Sequence, residues 1–244
     1  MAIYLRDIQN SPPKDLIQEL ATSDPLPEVP SKPNFGLDSI FGLFLSSFAA
    51  PLYLYASLRG KFQVWDDVLA GIPDEVFHEP ALDVGCGRGL VLLKVAKRKQ
   101  KLARGALDGS ICPAYGLDIF SQADQTGNSP LATYQNAAAM GVVANTVLHM
   151  ASFTEQLPFA DGSFSLITSN LAIHNVNREG RTVAIQEIAR VCKLGGRLVI
   201  IDLFGHFNDH KAILFELGWT EVRVELVGFK MFSSVFSMPW TLDV

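Results

Sequence analysis

The chain has 244 residues, of which 48% are hydrophobic and 18% are charged, and its formal net charge is −5 at pH 7. A chain of this length and composition can bury one sizeable core, which fits a compact α/β protein with a modest N-terminal addition. The negative net charge argues against a nucleic-acid partner, because broad contact with phosphates requires a basic surface.

The cysteines and the N-terminus both indicate a reducing compartment. Cys86, Cys112 and Cys192 are odd in number and lack Cys-x-x-Cys spacing, so neither a disulfide framework nor a zinc site is indicated. Arg6 and Asp7 come too early, and no apolar run follows them, for a secretory signal. We therefore expect a cytoplasmic protein.

Residues 1–34 are predicted to form an extended or wrapped N-terminal arm. Proline breaks this segment repeatedly, at Pro12, Pro13, Pro25, Pro27, Pro30 and Pro33. Because proline removes a backbone donor and fixes φ, long regular elements are disfavoured here. Only Leu16–Ala21 has the pattern of a short helix.

Residues 35–78 are apolar and are predicted to be helical. Within them, residues 39–58 pass without a charge, a length of about 30 Å as a helix, which is the thickness of a bilayer core. Four serines, Gly42 and Pro51 argue against a straight spanning helix. The segment is therefore predicted to be either a lid over the following domain or a membrane-associated helix. Both the lid and the membrane-associated helix would place an apolar surface over the ligand cleft, which favours a lipophilic small-molecule substrate.

Residues 79–90 predict a short buried strand, a glycine-rich turn and the start of a helix. Asp83 precedes three closely spaced glycines, Gly85, Gly87 and Gly89. Glycine permits a tight turn, a close approach of backbone to a ligand, and close packing of the next helix. The helix start also offers unpaired N–H groups and a positive dipole end. The pattern predicts a site for a polar ligand group.

The spacing of these glycines distinguishes two classes of nucleotide site. A dinucleotide fingerprint has Gly-x-Gly-x-x-Gly, whereas the third glycine here comes one residue earlier. The run Asp83–Gly89 instead resembles the first motif of class I S-adenosylmethionine-dependent methyltransferases. Residues 114–119, 157–170 and 188–202 resemble the second strand, the fourth strand with its preceding turn, and the fifth strand of that family. The resemblance covers about residues 79–228.

The resemblance implies S-adenosylmethionine as the cofactor. Asp118, at the end of the second strand, would accept hydrogen bonds from the two ribose hydroxyls. The family often has an acid shortly before the Leu-Pro-Phe turn, where this chain has Ser152 and Phe153, so a hydroxyl, a backbone carbonyl or a stacked ring would meet the adenine. The residues expected to contact the cofactor are Asp83, Gly85, Cys86, Gly87, Gly89, Asp118, Ile119, Gln125, Ser152, Phe153 and Asn170.

Two histidines are candidates for a catalytic general base. His174 follows the fourth predicted strand and His206 follows the fifth, where this family commonly places residues on the substrate side. A histidine can take a proton near neutral pH, although either ring could instead fix its own loop. His78, His149 and His210 show no ligand spacing, so no metal site is expected.

Strands alternate with helices through the rest of the chain, which predicts a mainly parallel sheet covered on both faces. Strands are expected near residues 80–84, 113–118, 146–150, 164–169, 197–202, 221–228 and 230–236. Helices are expected near residues 89–99, 129–140, 178–192 and 208–217, with an inserted loop at 100–113 and a helix N-cap before Pro130.

The family resemblance implies a doubly wound α/β fold. Its sheet would have seven mostly parallel strands in the order 3-2-1-4-5-7-6, with the last strand antiparallel, below an N-terminal helical lid. The chain would then divide into an arm (1–34), a lid or membrane-associated segment (35–78) and a methyltransferase domain (79–244).

The predicted activity is methyl transfer from S-adenosylmethionine to a small, largely apolar metabolite. The alternative is a protein that binds this cofactor without methylating, and binds or rearranges a lipophilic ligand. A nicotinamide dehydrogenase is disfavoured by the glycine spacing. The sequence leaves open which atom accepts the methyl group and whether the chain forms oligomers.

Overall fold

The computed structural model describes residues 29–35, 54–104, 112–122, 125–231 and 239–243. Most of the predicted arm and most of the predicted charge-free segment therefore lie outside the described residues. Within the described part, no helix is long and apolar enough to span a bilayer.

Seven strands form one sheet: β1 (Ala81–Val84), β2 (Ala114–Asp118), β3 (Thr146–Met150), β4 (Phe164–Asn170), β5 (Cys192–Leu203), β6 (Arg223–Leu226) and β7 (Pro239–Asp243). Their order is β3-β2-β1-β4-β5-β7-β6. The pairs among β1 to β5 are parallel, and β7 is antiparallel to both β5 and β6. The predicted α/β class and the mostly parallel sheet are confirmed, and the strand order is the one that the family resemblance implied.

Among the described residues, five α-helices flank the strands: α1 (Lys61–Ala70), α2 (Leu90–Ala103), α3 (Pro130–Met140), α4 (Arg178–Val191) and α5 (Phe207–Glu216). A π-helical turn, Ala56–Gly60, leads directly into α1. The predicted cap of α3 is confirmed, because the Ser129 hydroxyl accepts the backbone N–H of Ala132 at 3.1 Å and Pro130 is the first helical residue.

The core lies in two layers, one on each face of the sheet. Adjacent residues of one strand point to opposite layers, since Leu166 packs in the layer that contains α2 residues and Ile167 packs in the layer that contains α4 residues. Val199 and Ile200 of β5 divide in the same way. Strands buried on both faces need apolar residues at successive positions, which is what these sequences provide.

Helix α1 is the described helical part of the segment predicted as a lid. Trp65 is fully buried, and its indole N–H donates to Asn170 Oδ1 at 2.8 Å. Arg98 of α2 donates to the carbonyl oxygens of Leu69 and Ile72 and pairs with Asp74 at 2.7 Å. These contacts fasten α1 and the chain after it to the sheet and to α2.

Two boundaries differ from expectation. The strand expected near 230–236 is wrong at its start, because Gly228–Met231 form a 3₁₀ turn and the last strand is β7. Lys230 pairs with Asp67 of α1 at 2.8 Å, and its carbonyl oxygen lies against Gly60 where any Cβ would clash. The expected loop at 100–113 begins later, since α2 continues to Ala103.

Candidate functional site

The glycine turn lies at the carboxyl end of β1, and three of its residues have left-handed backbones. The φ angles are 71° at Gly85, 49° at Gly87 and 87° at Gly89, a region that favours glycine. The backbone N–H groups of Gly85 and Cys86 donate to the carbonyl of Leu117 at 2.8 and 3.2 Å. The turn is thus anchored to β2, next to Asp118.

Asp118 lies directly at this turn. Its Oδ2 accepts the N–H of Gly87 at 2.8 Å, and its Oδ1 accepts the N–H of Phe120 at 2.5 Å. The Asn128 amide donates to the same Oδ1 at 3.4 Å. Phe120 has a φ of 56°, which is unusual for a bulky residue. The hydrogen bond from the Phe120 N–H to Asp118 holds this backbone conformation in place. The predicted ribose acceptor is therefore fixed beside the loop that would receive a ribose.

Asp83 lies beneath the turn and binds the protein's own groups. Its Oδ1 accepts the Thr168 hydroxyl at 2.7 Å, and its Oδ2 accepts the N–H of Leu92 in α2 at 3.0 Å. Burial raises the pKa of Asp83 to about 7, with a smaller upward contribution from Asp118, although the two hydrogen bonds oppose the shift. Its described hydrogen bonds join β1, β4 and the start of α2, and its expected contact with the cofactor stays a prediction.

Cys86 and Gly89 serve the packing of the turn. The Cys86 sulfur is buried against Gly116, and burial raises the pKa of its thiol well above the ordinary value. The carbonyl of Cys86 accepts the N–H of Gly89 at 2.8 Å. A Cβ at Gly89 would come within 3.0 Å of Thr133 in α3. Gly89 thus allows α2 to pack closely against α3, as its spacing predicted.

Gln125 connects the turn to the N-terminal arm. Its Oε1 accepts the N–H of Arg88 at 3.2 Å and would lie 2.7 Å from a Cβ at Gly87. Its Nε2 donates to the carbonyl of Phe35 at 3.2 Å. Phe35, the residue directly after the arm, therefore lies at the edge of the glycine turn, and the expected contact of Gln125 with the cofactor stays a prediction.

An apolar rim follows the ends of β2 and β3. Ile119 is 52% exposed and Met150 is 58% exposed, although both are large apolar side chains. The backbone N–H of Ala151 donates to the carbonyl of Asp118 at 3.2 Å, so the rim adjoins the carboxylate. Sequence reasoning named Ile119 but missed Met150, because the pairing of Met150 with Asp118 across the sheet is set by the tertiary structure.

Ser152 and Phe153 lie in the segment after β3. The Ser152 hydroxyl lies 2.7 Å from the Thr154 hydroxyl and accepts the backbone N–H of Thr154 at 3.1 Å. The Phe153 ring comes within 3.7 Å of the position a Cβ would take at Gly85. Both residues thus border the turn or its rim, and which of them meets a base stays a prediction.

The loop between β4 and α4 lies against the same turn. A Cβ at Gly85 would overlap the Ala172 side chain. Asn170, at the end of β4, is bound through its oxygen to Trp65, and the next residue, Leu171, has a φ of 51°. This loop therefore carries its residues to the edge of the glycine turn.

His174 follows in this loop and pairs with a residue that the sequence did not single out. Its Nδ1 lies 2.5 Å from Oδ1 of Asp202, a fully buried carboxylate in β5. Asp202 ends an apolar strand as Asp118 does, and that pattern could have drawn attention to it. His206 lies in the 3₁₀ turn Phe204–His206 that follows β5, and burial lowers its pKa. The described residues include no cluster of three or more His, Cys, Asp or Glu side chains suited to a metal ion.

Comparison with known proteins identifies this domain. A family model described as a methyltransferase domain matches residues 82–200. Residues 82–200 are a methyltransferase domain of the class I S-adenosylmethionine-dependent type. Its cofactor is S-adenosylmethionine, as the first motif implied.

Curated relatives of this methyltransferase include the ubiquinone/menaquinone biosynthesis C-methyltransferase UbiE of Geotalea daltonii, 31% identical over 55% of this chain and 48% of the relative. The malonyl-(acyl-carrier protein) O-methyltransferase of Nitrosospira multiformis is 30% identical over 64% of this chain and 49% of the relative. The chain spans about half the length of the curated relatives it matches.

Two solved structures share the fold of this methyltransferase. One is a methyltransferase from Aquifex aeolicus, at 18% identity with a TM-score of 0.52, covering 73% of this chain and 87% of that one. The other is geranyl diphosphate C-methyltransferase from Streptomyces coelicolor, at 14% identity with a TM-score of 0.54, covering 94% and 96%. At these identities the likeness concerns the fold alone.

The residues around the turn fit the cofactor chemically. Gly87 leaves free the space beside Gln125 that a Cβ would fill. The carboxylate of Asp118 can accept hydroxyl donors, and the exposed side chains of Ile119 and Met150 offer apolar surface to a flat base. A polar acceptor beside an apolar rim matches a nucleoside with a ribose and an adenine.

Proposed function

We propose that this methyltransferase transfers the methyl group of S-adenosylmethionine to a small, largely apolar acceptor. The observation that carries the proposal is the left-handed glycine turn with the Asp118 carboxylate bound to its Gly87 N–H. The proposal assigns the cofactor to this turn and to the residues named from the sequence around it.

The apolar character of the acceptor rests on two lines of support. One relative named above is a C-methyltransferase of ubiquinone/menaquinone biosynthesis, and its name refers to lipophilic quinones. In this chain, Leu54 and Leu58, in the described end of the charge-free segment, are 40% and 60% exposed. An apolar surface beside the described core favours an apolar ligand over a nucleic acid, and the net charge of −5 agrees with this.

The chain's own chemistry in this reaction is alignment and proton removal. The bound cofactor supplies an activated methyl group. The protein has to hold the acceptor atom in line with that group and, for a hydroxyl, has to remove a proton. His174 and His206 are the side chains that we propose for proton removal, and both follow strands that end at the glycine turn's side of the sheet.

The first experiment separates methyl transfer from binding alone. Calorimetry with S-adenosylhomocysteine measures the cofactor site, and transfer of labelled methyl from S-adenosylmethionine to a panel of quinols, phenols and fatty acids measures the reaction. We expect both binding and uptake in the wild type. Binding without uptake by any apolar acceptor would instead support the alternative, a cofactor-binding protein that does not methylate.

The His174→Ala variant tests the role of the candidate base. We expect kcat to fall by about 10²–10⁴-fold, the usual contribution of a general base, with little change in cofactor affinity. His206→Ala is the internal comparison, because only one of the two rings needs to take the proton. Near-wild-type kcat in both variants would mean that alignment alone drives the reaction.

A further inference from the structure

The buried carboxylate of Asp202 makes two contacts with His174 in the loop between β4 and α4. Its Oδ1 lies 2.5 Å from His174 Nδ1, and its Oδ2 accepts the backbone N–H of His174 at 3.1 Å. The same Oδ1 also accepts the backbone N–H of Leu203 at 2.8 Å. One carboxylate therefore fixes both the ring and the backbone of a single histidine.

These contacts decide which ring nitrogen can act on a ligand. A carboxylate only accepts hydrogen bonds, so Nδ1 of His174 has to carry the hydrogen in this pair. In the neutral ring the free lone pair is then on Nε2. The side chain of His174 is 24% exposed while that of Asp202 is 0% exposed, so the accessible edge of the ring lies away from Asp202.

The other two histidines nearby have no such partner. Burial, and then the positive charge of Arg181, lower the pKa of His206. Burial lowers the pKa of His210 to about 4. No carboxylate accepts a hydrogen bond from either ring within the described part of the chain. Of these three rings in the described part of the chain, only that of His174 has a carboxylate within hydrogen-bond distance.

The position of the pair is also suitable for a reaction at the cofactor. Ala172 precedes His174 by two residues and packs on Gly85 so closely that a Cβ there would overlap it. Asn170, at the start of the same loop, is held by Trp65 at 2.8 Å. The loop is therefore held at its start by the Trp65–Asn170 hydrogen bond and two residues later by the packing of Ala172 on Gly85. These two contacts keep His174 next to the glycine turn.

We propose that Asp202 is a positioning residue that holds His174 as the general base, with Nε2 facing the acceptor, and that the acceptor carries an ionisable hydroxyl group. This inference rests on the proposed methyl transfer. In the step, the hydroxyl proton passes to Nε2 of His174 and an oxygen electron pair forms the new O–C bond. The S–C bond breaks and its electrons stay on sulfur, which leaves a neutral thioether. The protonated ring stays paired with Asp202 until it releases the proton to solvent.

The first test uses the full chain, S-adenosylmethionine and two probes, 1-naphthol and a nitro-substituted naphthol that is ionised at the assay pH. We expect Asp202→Asn to lower kcat on 1-naphthol by about 10²–10³-fold, because the base loses its charge partner. On the ionised probe the loss should stay below about tenfold, because no proton has to be removed. Asp209→Asn, the same change at a carboxylate that is 48% exposed on α5, is the matched control and should preserve both rates. Equal losses on both probes in Asp202→Asn would indicate a merely structural role and overturn the inference.

A second measurement needs no acceptor. Long-range ¹H–¹⁵N spectra of ring-labelled protein show which nitrogen of His174 carries the proton, with the signal assigned by its loss in His174→Gln. We expect the Nδ1–H form in the wild type, and a mainly Nε2–H form would overturn the pairing. If the wild type does not bind S-adenosylhomocysteine, the proposed function is refuted instead. The spectrum would then still test, by itself, whether Asp202 holds the Nδ1–H form of His174. Methylation of amine or thiol probes but of no naphthol would overturn the hydroxyl acceptor.

Discussion

At the scale of single residues, two acids of similar sequence context have different tasks. Asp83 and Asp118 each end or nearly end a buried strand. Asp118 points into the loop at the glycine turn, whereas Asp83 points down to Thr168 and the start of α2. The first is the side chain that we propose as acceptor for a ligand's hydroxyl groups, and the second fixes the helix that follows the turn.

Replacing Asp118 tests the cofactor assignment. We expect Asp118→Ala to weaken binding of S-adenosylmethionine by about 1.5–3 kcal/mol, the contribution of hydrogen bonds to a charged group. Gly87→Val should cause a similar loss, because its side chain would meet Gln125 at a backbone φ of 49°. Calorimetry on folded variants provides the measurement, and unchanged affinity in both would contradict the site.

Asp83 should make the stability of the protein depend on pH. Its pKa of about 7 in the folded state lies above the ordinary 3.8, so the folded state binds more protons than the unfolded state between these values. The free energy of unfolding should therefore fall as pH rises from about 4 to 7, and Asp83→Asn should remove that fall.

Urea unfolding of the wild type and of Asp83→Asn at pH 5 and pH 8 measures this difference. Asp66→Asn is the control, because Asp66 is 63% exposed and pairs with Lys94 at the surface. An equal change with pH in the wild type and in Asp83→Asn would show that the buried carboxyl does not cause it.

At the scale of elements, helix α1 connects the N-terminal part of the chain to the site. Trp65 binds Asn170 at the end of β4. Phe35, directly after the arm, is buried, and its ring lies tilted by 58° against that of Phe62 in α1, with the ring centroids 5.6 Å apart. Gln125 holds the carbonyl of Phe35 next to the glycine turn. Segments before residue 79 thus contact both the surroundings of the glycine turn and the end of β4.

The Trp65–Asn170 contact should be measurable as stability. We expect Trp65→Phe to lower the free energy of unfolding by about 1–3 kcal/mol, because the buried indole packing is reduced and the oxygen of Asn170 loses its donor. Trp219→Phe, at a half-buried position of the second core layer, is the control and should cost less. Denaturant titration gives both values, and an equal or smaller loss at Trp65 would contradict this account.

Deleting residues 1–58 should separate cofactor binding from turnover. The truncation keeps α1 and its bond to Asn170 but removes Phe35 and the charge-free segment. We expect cofactor binding to persist in part and turnover to be lost, because we propose that the segment closes the acceptor site. Full turnover on a soluble acceptor would mean that the segment acts only as an anchor.

At the scale of the whole molecule, the parallel sheet gathers residues that are far apart in sequence. Asp83, Asp118, Asn170 and Asp202 each lie in or at the end of a different one of the parallel strands β1, β2, β4 and β5. Because neighbouring parallel strands end at the same edge, these side chains and the loops after them form one region.

Binding of the cofactor should stabilise the whole domain. Since the region joins several strands and the arm, we expect S-adenosylhomocysteine at about one hundred times its dissociation constant to raise the unfolding free energy by about 2.7 kcal/mol. A thermal shift that increases with ligand concentration is the measurement. Asp118→Ala should need a higher concentration for the same shift, and a wild type without any shift would contradict binding to the folded state.

The order of elements and the cofactor turn could be predicted from local sequence. Three predictions are confirmed: the glycine turn after an apolar strand, the cap at Ser129 and the alternation of strands with helices. Each of them depends only on residues that are neighbours in sequence. The strand expected near 230–236 was wrong at its start, because Lys230 and the turn around it pack on Gly60 and Asp67, which are distant in sequence. The rest of that expected strand lies outside the described residues.

The sequence by itself determined the α/β class and the place of the glycine turn, because backbone preference and apolar periodicity are local properties. The family followed from the resemblance of its motifs to those of class I methyltransferases. Only the tertiary structure decided that Asp83 faces inward, that Met150 joins the rim and that Asp202 holds His174. The direction of a side chain at a strand end depends on which residues the neighbouring strands and loops bring to it. Those neighbours can come from distant segments, as Trp65 does at 105 residues from Asn170, and no local pattern specifies them.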